Sequence, residues 1–423
     1  MSTIQGTFNT GVQAMLSQSH DLSNISTNIA NVNTTSYKEQ GTHFETILNE
    51  LSPRNQKFFA VKTTDYRNVD KMGTIATTNR TYDVAINGRG FIVTNTMQDG
   101  TGIWQYTRDG SFFGKAVTLS TSTNGVPDQG TLLTTADGSY VMGWPADADG
   151  NITEKDDLTT LKPLLYSNNS VFAAKPSTQI LVQANVAAGV VGRQHVGLPF
   201  VDAGGNTRTV DLGFTSDPAN AANWTLDMSS VGTDNKDVKV TFTPANVSFD
   251  NFGRLVSPTN GLITAKVLDA SGPQTITLDL SKMTQLGGDT TISVQNIEGD
   301  GYIEGRLKNT YFDKFGTLIG SYTNGQVKNL GKLPVANFQA NNNLNAIPGN
   351  VFTQSHDAGA LSLKAVGDPQ GSTEFVTGAL ETSNVDLADQ FSKMIVTQRA
   401  YSSAAKIVQT ADEMVQACRD LKR

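Results

Sequence analysis

The sequence predicts a mainly β chain with α-helical termini, in which a second β domain is inserted into the first and the two end helices pair in coiled-coil-like fashion. Three observations carry that prediction. Apolar residues near the C-terminus recur in steps of three and four, a similar stripe runs through the N-terminus, and between them lie short β-type runs separated by turn pairs.

At the N-terminus Ile4, Phe8, Val12, Met15, Leu22, Ile25, Ile29 and Val32 keep helical spacing, with Ser19 as the polar exception. From Met1 to Tyr37 the only formally charged side chain is Asp21, and the first cation is Lys38. A solvated helix face normally carries charge of both signs. Asn, Ser, Thr and Gln dominate instead, a composition suited to packing polar faces together without unpaired charge.

The middle changes character. From about Thr74 to Leu165, β-type runs at Tyr82 to Ile86, Gly90 to Asn95, Trp104 to Arg108, Leu132 to Thr135 and Tyr140 to Trp144 are punctuated by Asn87-Gly88, Asp99-Gly100, Asp109-Gly110 and Asp137-Gly138. This is an antiparallel pattern. A second β stretch offers strands at Gln179 to Ala184, Thr207 to Phe214, Val238 to Thr243, Leu262 to Leu268, Gln274 to Leu280 and Thr290 to Val294. Glycine pairs at Gly204-Gly205 and Gly287-Gly288, with Pro218, Pro244 and Pro258, mark its loops. Gly316 to Tyr322 before Asn324-Gly325 reads as a hairpin in the returning half.

The nested organisation follows. Residues 1–30 and 384–423 form a terminal helical domain, 31–73 and 364–383 connecting segments, 74–173 and 297–363 a discontinuous first β domain, and 174–296 the inserted second one. An insertion with neighbouring ends leaves the host domain intact.

In the C-terminal helix Leu387, Phe391, Met394, Tyr401, Ala405 and Val408 form a heptad stripe, with Gln398 in its one polar slot. A second stripe, Ala404, Ile407, Ala411, Met414, Cys418 and Leu421, keeps that spacing in a shifted phase. Such a helix can touch more than one neighbour. Ser383 or Asn384 is the expected cap, and Asp386 and Asp389 at the start with Arg419, Lys422 and Arg423 at the end complement the helix dipole. The two ends can pair within one monomer, but a single pair with so little charge would leave much apolar surface uncovered, which favours assembly.

At 423 residues the chain suggests about two to four domains. Charged residues make up 17%, net charge is -7 and the isoelectric point is near 5.2, which argues against nucleic acid as a main partner. No run approaches a membrane span, and no basic region with an apolar segment marks a Sec signal, so by these signs alone the chain reads as cytoplasmic. The single cysteine, Cys418, excludes an internal disulfide and reads as a small hydrophobe.

The search for chemistry comes back nearly empty. His20, His43, His195 and His356 stand apart, without zinc spacing. Gly88-Arg89-Gly90 lacks the third glycine of a dinucleotide loop. Asp147, Asp149 and Asn151 imitate the start of a calcium loop, but Ile152 and Leu158 occupy its glycine and glutamate positions. Asp156, Asp157 and Asp269 are carboxylates that nothing in the sequence brings together across a cleft. No enzyme, cofactor or metal is expected.

The same ends carry a resemblance. Ser26-Thr27-Asn28-Ile29-Ala30-Asn31-Val32-Asn33-Thr34 followed by Tyr37-Lys38 resembles the N-terminal signature of the axial proteins of the bacterial flagellar rod and hook. Ala379 through Leu387, then Gln398-Arg399-Ala400-Tyr401 and Thr410-Ala411-Asp412-Glu413-Met414, resembles their C-terminal signature. Asp83 to Phe91 and Tyr106 to Phe112 are similar to the shared β domain. Ser36 stands where the family usually has glycine before the aromatic residue, so the turn there must be made differently.

The resemblance implies a structural subunit exported by the flagellar type III apparatus to an extracellular position. The large insertion points to the hook member of the family rather than the distal rod protein, with a secreted β-rich adhesin or enzyme as the remote alternative. The implied hook is a helical tube acting as a universal joint that transmits torque from rod to filament. Implied partners are further copies of the chain, the distal rod protein, the hook cap protein, the hook-filament junction protein and the export apparatus, with no nucleic acid and no membrane insertion. Self-assembly is expected through Ile4, Phe8, Val12, Met15, Leu22, Ile25, Ile29, Asn31, Asn33 and Thr34, and through Asn384, Val385, Leu387, Phe391, Met394, Tyr401, Ile407, Ala411, Met414 and Leu421. The segment from Asn31 to about Lys71 is expected to connect helix and β domain with little core of its own.

Overall fold

The computed structural model describes residues 2–50, 57–121, 127–230, 239–269, 272–288, 290–367 and 373–420. Two long helices, α1 (Ser2–Ala30) and α2 (Leu387–Asp420), bracket a body of β-strands. The chain divides into two compact units, one of Met1–Asn169, Asn309–Gly320 and Val327–Arg423, the other of Ser170–Lys308 and Ser321–Gln326.

In the first unit, strand Phe91–Asn95 pairs antiparallel with Trp104–Thr107, Tyr140–Pro145 and Val335–Phe338, and the last of these pairs with Leu361–Lys364. Five consecutive buried residues in Phe91–Asn95 mark it as the strand covered on both faces. One face packs Phe91, Tyr106, Trp144, Phe338 and Phe352, the other Ile92, Phe112, Val141, Leu318 and Leu333. Tyr106 and Phe338 meet edge to face with centroids 4.8 Å apart.

The returning chain pairs with the outgoing one. Glu374–Thr377 runs antiparallel to Val84–Asn87, and Ala379–Glu381 to Ile75–Thr77. The second unit is a sandwich of a six-stranded and a five-stranded sheet. Ile180, Val182, Ile263 and Leu278 from one sheet meet Leu198, Leu212, Phe214 and Trp224 from the other in a single core. Its ends are clasped together, with Lys175 and Tyr302 exchanging backbone hydrogen bonds of 2.8 and 3.0 Å. Asp300 accepts from the backbone N–H groups of Thr178 and Gln179, from the Thr178 hydroxyl and from Lys175 Nζ.

Several expectations need correction. The segment after α1 is not a plain connector: Gln40–Glu50 and Lys57–Arg67 form an eleven-pair antiparallel hairpin, and Tyr37, Lys38 and Glu39 before it are buried. The 364–383 segment carries the two returning strands just named. Thr290 to Val294 is displaced, the strand being Ser293–Gly299, an exposed edge whose side chains offered little apolar signal.

Among the strands that the sequence pattern does not mark are two long ones of the second unit. Arg193–Val201 places Gln194, Val196, Leu198 and Phe200 inward, but Gly197 and Pro199 obscure the alternation. Proline is tolerated because this strand pairs on one side only, with Thr207–Asp217. Asn220–Ser230 buries Trp224 and Leu226, but Asn220, Asn223, Thr225, Asp227, Ser229 and Ser230 dilute its apolar signal.

The α2 cap is also different. Asp386 Oδ1 accepts from the N–H groups of Ala388 at 2.8 Å and Asp389 at 3.3 Å. Asn384 is occupied elsewhere, accepting from Glu39 N and donating to the carbonyls of Asn68 and Lys71.

Candidate assembly surface

The helices pair with each other, and of the second α2 stripe it is the small residues Ala404 and Ala411 that are buried. Their seam is made of small and polar residues. Gly11 is buried so tightly that an added Cβ would lie 2.8 Å from Val408 Cγ2, and Ser17 on α1 and Ala404 and Ala411 on α2 are buried as well. Thr397 Oγ1 donates to Asp21 at 2.9 Å, and Asn28 Nδ2 donates to Gln390 Oε1 at 3.0 Å. Asp21, the lone charge of the N-terminal segment, is thus used across the pair.

The large apolar side chains are left outside. Leu16 is 59% exposed, Phe391 50%, Val396 67% and Met414 55%, and Phe8, Leu387, Ile395, Tyr401, Ile407 and Val415 are also exposed. Val12, Met15, Leu22, Ile29, Val385 and Met394 are half-buried, whereas Ile25, Asn384 and Ala411 are buried. Thr7, Ile407, Thr410 and Met414 line an open cleft of about 530 Å³ beside the seam. Ile4 lies in α1 but its side chain is not described; the Cys418 side chain is likewise outside the described set, as is the whole of Leu421.

Asn31 and Thr34 serve locally. Asn31 Nδ2 donates to Thr27 O at 2.8 Å, covering a carbonyl at the end of α1, and Thr34 Oγ1 donates to Asn31 Oδ1 at 3.1 Å. Asn33 is exposed.

What sequence reasoning missed is a buried polar junction where both helices meet the β body. Glu381 accepts from Lys38 Nζ at 2.7 Å and from Arg108 Nε at 2.6 Å, with all three side chains almost wholly buried. Arg108 also donates to the carbonyls of Ile86, Gly88 and Gly90, which is the use the structure makes of the Gly88-Arg89-Gly90 turn. Lys38 donates to Lys71 O, and Gly73 N to Glu381 Oε1. Burial acts to raise the Glu381 carboxyl, but Arg108 and Lys38 outweigh it and hold the group below its ordinary value. For Lys38 burial wins over Glu381, and the ammonium is held below the usual lysine range.

Ser36 solves the turn without glycine. Its φ is 56°, its N–H donates to Glu381 O at 2.8 Å, and its hydroxyl donates to Arg108 O at 2.9 Å. A side chain in the left-handed region is strained, and these bonds offset that strain. Asn350, also left-handed at φ 57°, donates to Thr35 O at 2.7 Å. No local signal in the sequence could place Lys38 beside Glu381, although both sit inside the signature segments.

A second knot holds α2. Glu39 accepts from Gln390 Nε2 at 2.8 Å and Lys393 Nζ at 3.0 Å, and Asn28 receives the Tyr37 hydroxyl and Gln40 N–H. Asp65 of the hairpin accepts from Asn24 at 2.7 Å and contacts His20 at 2.8 Å.

Chemistry finds no footing in these places. Among the described residues no group of three or more His, Cys, Asp or Glu side chains gathers to hold a metal ion, and no helix is long and apolar enough to cross a membrane. Asp147 closes its own turn by accepting from Asp149 N and Asn151 N. Asp156 accepts from Leu363 N, and Asp157 caps Thr159.

Comparison with known proteins agrees with this reading. Residues 376–421 match a model described as "Flagellar basal body rod FlgEFG protein C-terminal", and residues 197–302 match "Flagellar basal body protein FlaE D2 domain". The flagellar hook protein FlgE of Rhizobium meliloti is 30% identical over 433 residues, covering 100% of both chains, and that of Brucella suis is 30% identical over 431 residues with the same coverage. The Escherichia coli hook protein is 28% identical over 96% of this chain and 98% of its own. A solved Helicobacter pylori hook protein, FlgE2, is 12% identical with a TM-score of 0.35 over 73% of this chain and 100% of that one. With full-length identity at this level added to helical ends that leave their apolar faces uncovered, the chain belongs to the flagellar hook protein FlgE family.

Proposed function

We propose that the chain is the structural subunit of a flagellar hook and that it polymerises through its paired terminal helices into a tube. The observation that carries this is the outward placement of Phe391, Ile395, Val396, Ile407 and Met414 on a helix whose inner seam is already satisfied by small and polar groups. Apolar area of that size in a subunit is stabilising only when other copies cover it. The contact is heterologous, so repeated addition yields a helical polymer rather than a closed dimer.

The proposed division keeps residues 1–30 and 384–423 as the polymer core and the β units as outer layers, with polar, weakly charged surfaces that slide past neighbours as a bent tube turns. The distal rod protein, the cap, the junction protein and the type III export apparatus are the proposed heterologous partners, and the proposed location is the extracellular hook. The family is a structural one rather than an enzyme family.

Phe391→Asp and Ile407→Asp test the reading. The monomer should keep its thermal midpoint, because exposed substitutions usually change stability by no more than about 0.5 kcal/mol. Negative-stain electron microscopy should show tubes from the unsubstituted chain and none from either variant. Tubes from both variants at the unsubstituted chain's concentration would overturn it.

A further inference from the structure

The outward face poses a problem of choice. α2 carries apolar residues on more than one side, and hydrophobic burial alone favours turning Phe391 and Ile395 inward rather than the small residues that now line the seam. A rotation of one residue about the helix axis is about 100°, enough to exchange one face for another. Some interaction must fix the phase.

Glu39 is placed to do so. Its carboxylate is buried, and it accepts from Gln390 and Lys393, two α2 residues three apart and therefore on one face. The other carboxylate oxygen accepts from Asn68 Nδ2 at 3.3 Å and faces Lys71 Nζ at 3.6 Å. Its backbone is anchored as well, the N–H donating to Asn384 Oδ1 and the carbonyl accepting from Asn68 N at 2.9 Å. Lys393 has a second partner, Asp389 at 2.7 Å, but that residue rides on the same helix and cannot orient it. Among the described residues, Glu39 makes the only ion pair between α2 and the rest of its unit.

We infer that Glu39 is the positioning residue for assembly: it sets the rotational phase of α2 and so decides which apolar face the subunit offers to other copies. A single buried polar contact can fix register in this way in helical pairs, where apolar packing alone tolerates several arrangements. The inference rests on the proposed hook function for its consequence, but the phase of α2 is a property of the monomer.

The test uses the full chain with Glu39→Ala, Glu39→Gln and Lys393→Met. Binding of an apolar fluorescent dye to the monomer reports the exposed face, and sedimentation reports the critical concentration for polymer. Glu39→Ala should bind markedly less dye, as Phe391 and Ile395 turn inward, and should raise the critical concentration about tenfold or more, the equivalent of about 1.4 kcal/mol. Glu39→Gln, which keeps the shape and one acceptor, should fall between, and Lys393→Met should resemble it.

A merely structural role would lower the melting temperature while leaving dye binding and polymerisation of the folded fraction unchanged, and that result overturns the inference. Should Glu39→Ala fail to fold, the Gln and Met variants decide it by the same two readings. If the unsubstituted chain forms no polymer, the hook reading falls, and the dye comparison still judges the inference by itself.

Discussion

Replacing Glu381 by Gln is the sharpest probe of the junction. The carboxylate bonds two cations in a site with almost no solvent, and the amide would present one oxygen and one NH2 group where two donors converge. Lys38 keeps Lys71 O, and Arg108 keeps its carbonyls from Ile86, Gly88 and Gly90, so neither cation is stripped bare. Breaking a buried ion pair by removing one partner costs about 3–5 kcal/mol. In a domain of a few hundred residues each kcal/mol shifts the midpoint by about 2–4 °C, so the loss should be roughly 6–20 °C. Differential scanning calorimetry measures it, with the transition of the second unit as the internal control. Adding Lys38→Met should recover part of the loss by removing one of the stranded charges. A Glu381→Gln chain melting within about 1 °C of the parent would refute the claim that this cluster holds the junction.

The remaining expectations are simpler. Gly11→Leu should separate the helices, seen as lost helical circular dichroism, because even a Cβ there comes within 2.8 Å of Val408; Gly11→Ala should be milder, since alanine gains about 1 kcal/mol of helix propensity against the crowding. Acid should loosen the junction. Burial acts to raise the Glu39 and Glu381 carboxyls, but Lys393, Asn68 and Lys71 around the first, and Arg108 and Lys38 around the second, leave both below the ordinary value. A depressed carboxyl stabilises fully above its unfolded value, about 4.3, and loses that contribution as pH falls through its folded value. Thermal midpoints taken across a pH series should therefore drop below about pH 4, with a shallower drop in Glu381→Gln; equal slopes would contradict the assignment. Asp300→Ala leaves the Thr178 and Gln179 N–H groups without their carboxylate, at about 1–3 kcal/mol, and should lower the transition of the second unit alone.

The ends and the first β body were legible because their signals are local. Turn pairs such as Asn87-Gly88 and Asp137-Gly138 need only a glycine with positive φ beside an Asx residue, and the strands between them follow. Arg193–Val201 was harder, since a proline on a one-sided strand looks like a break until the pairing is known. The helical stripes were visible, but their surroundings were not. Apolar periodicity detects Phe391 and Ile407, whereas Gly11, Ser17 and Thr397 of the seam have no hydrophobic signature. Lys38 and Glu381 lie 343 residues apart, and only the folded chain shows that the first cation of the sequence is buried against that carboxylate.

The contrast between a polar seam and apolar outer faces separates two temperature responses. Pairing within the subunit exchanges hydrogen bonds with water for hydrogen bonds between α1 and α2 and buries little hydrocarbon, so its heat-capacity change is small. Covering Phe391, Val396, Ile407 and Met414 removes apolar surface, which carries a large negative heat-capacity change and weakens on cooling. The subunit should therefore keep its helix pair in the cold while the tube loosens, so that chilling returns intact monomers rather than unfolded chains.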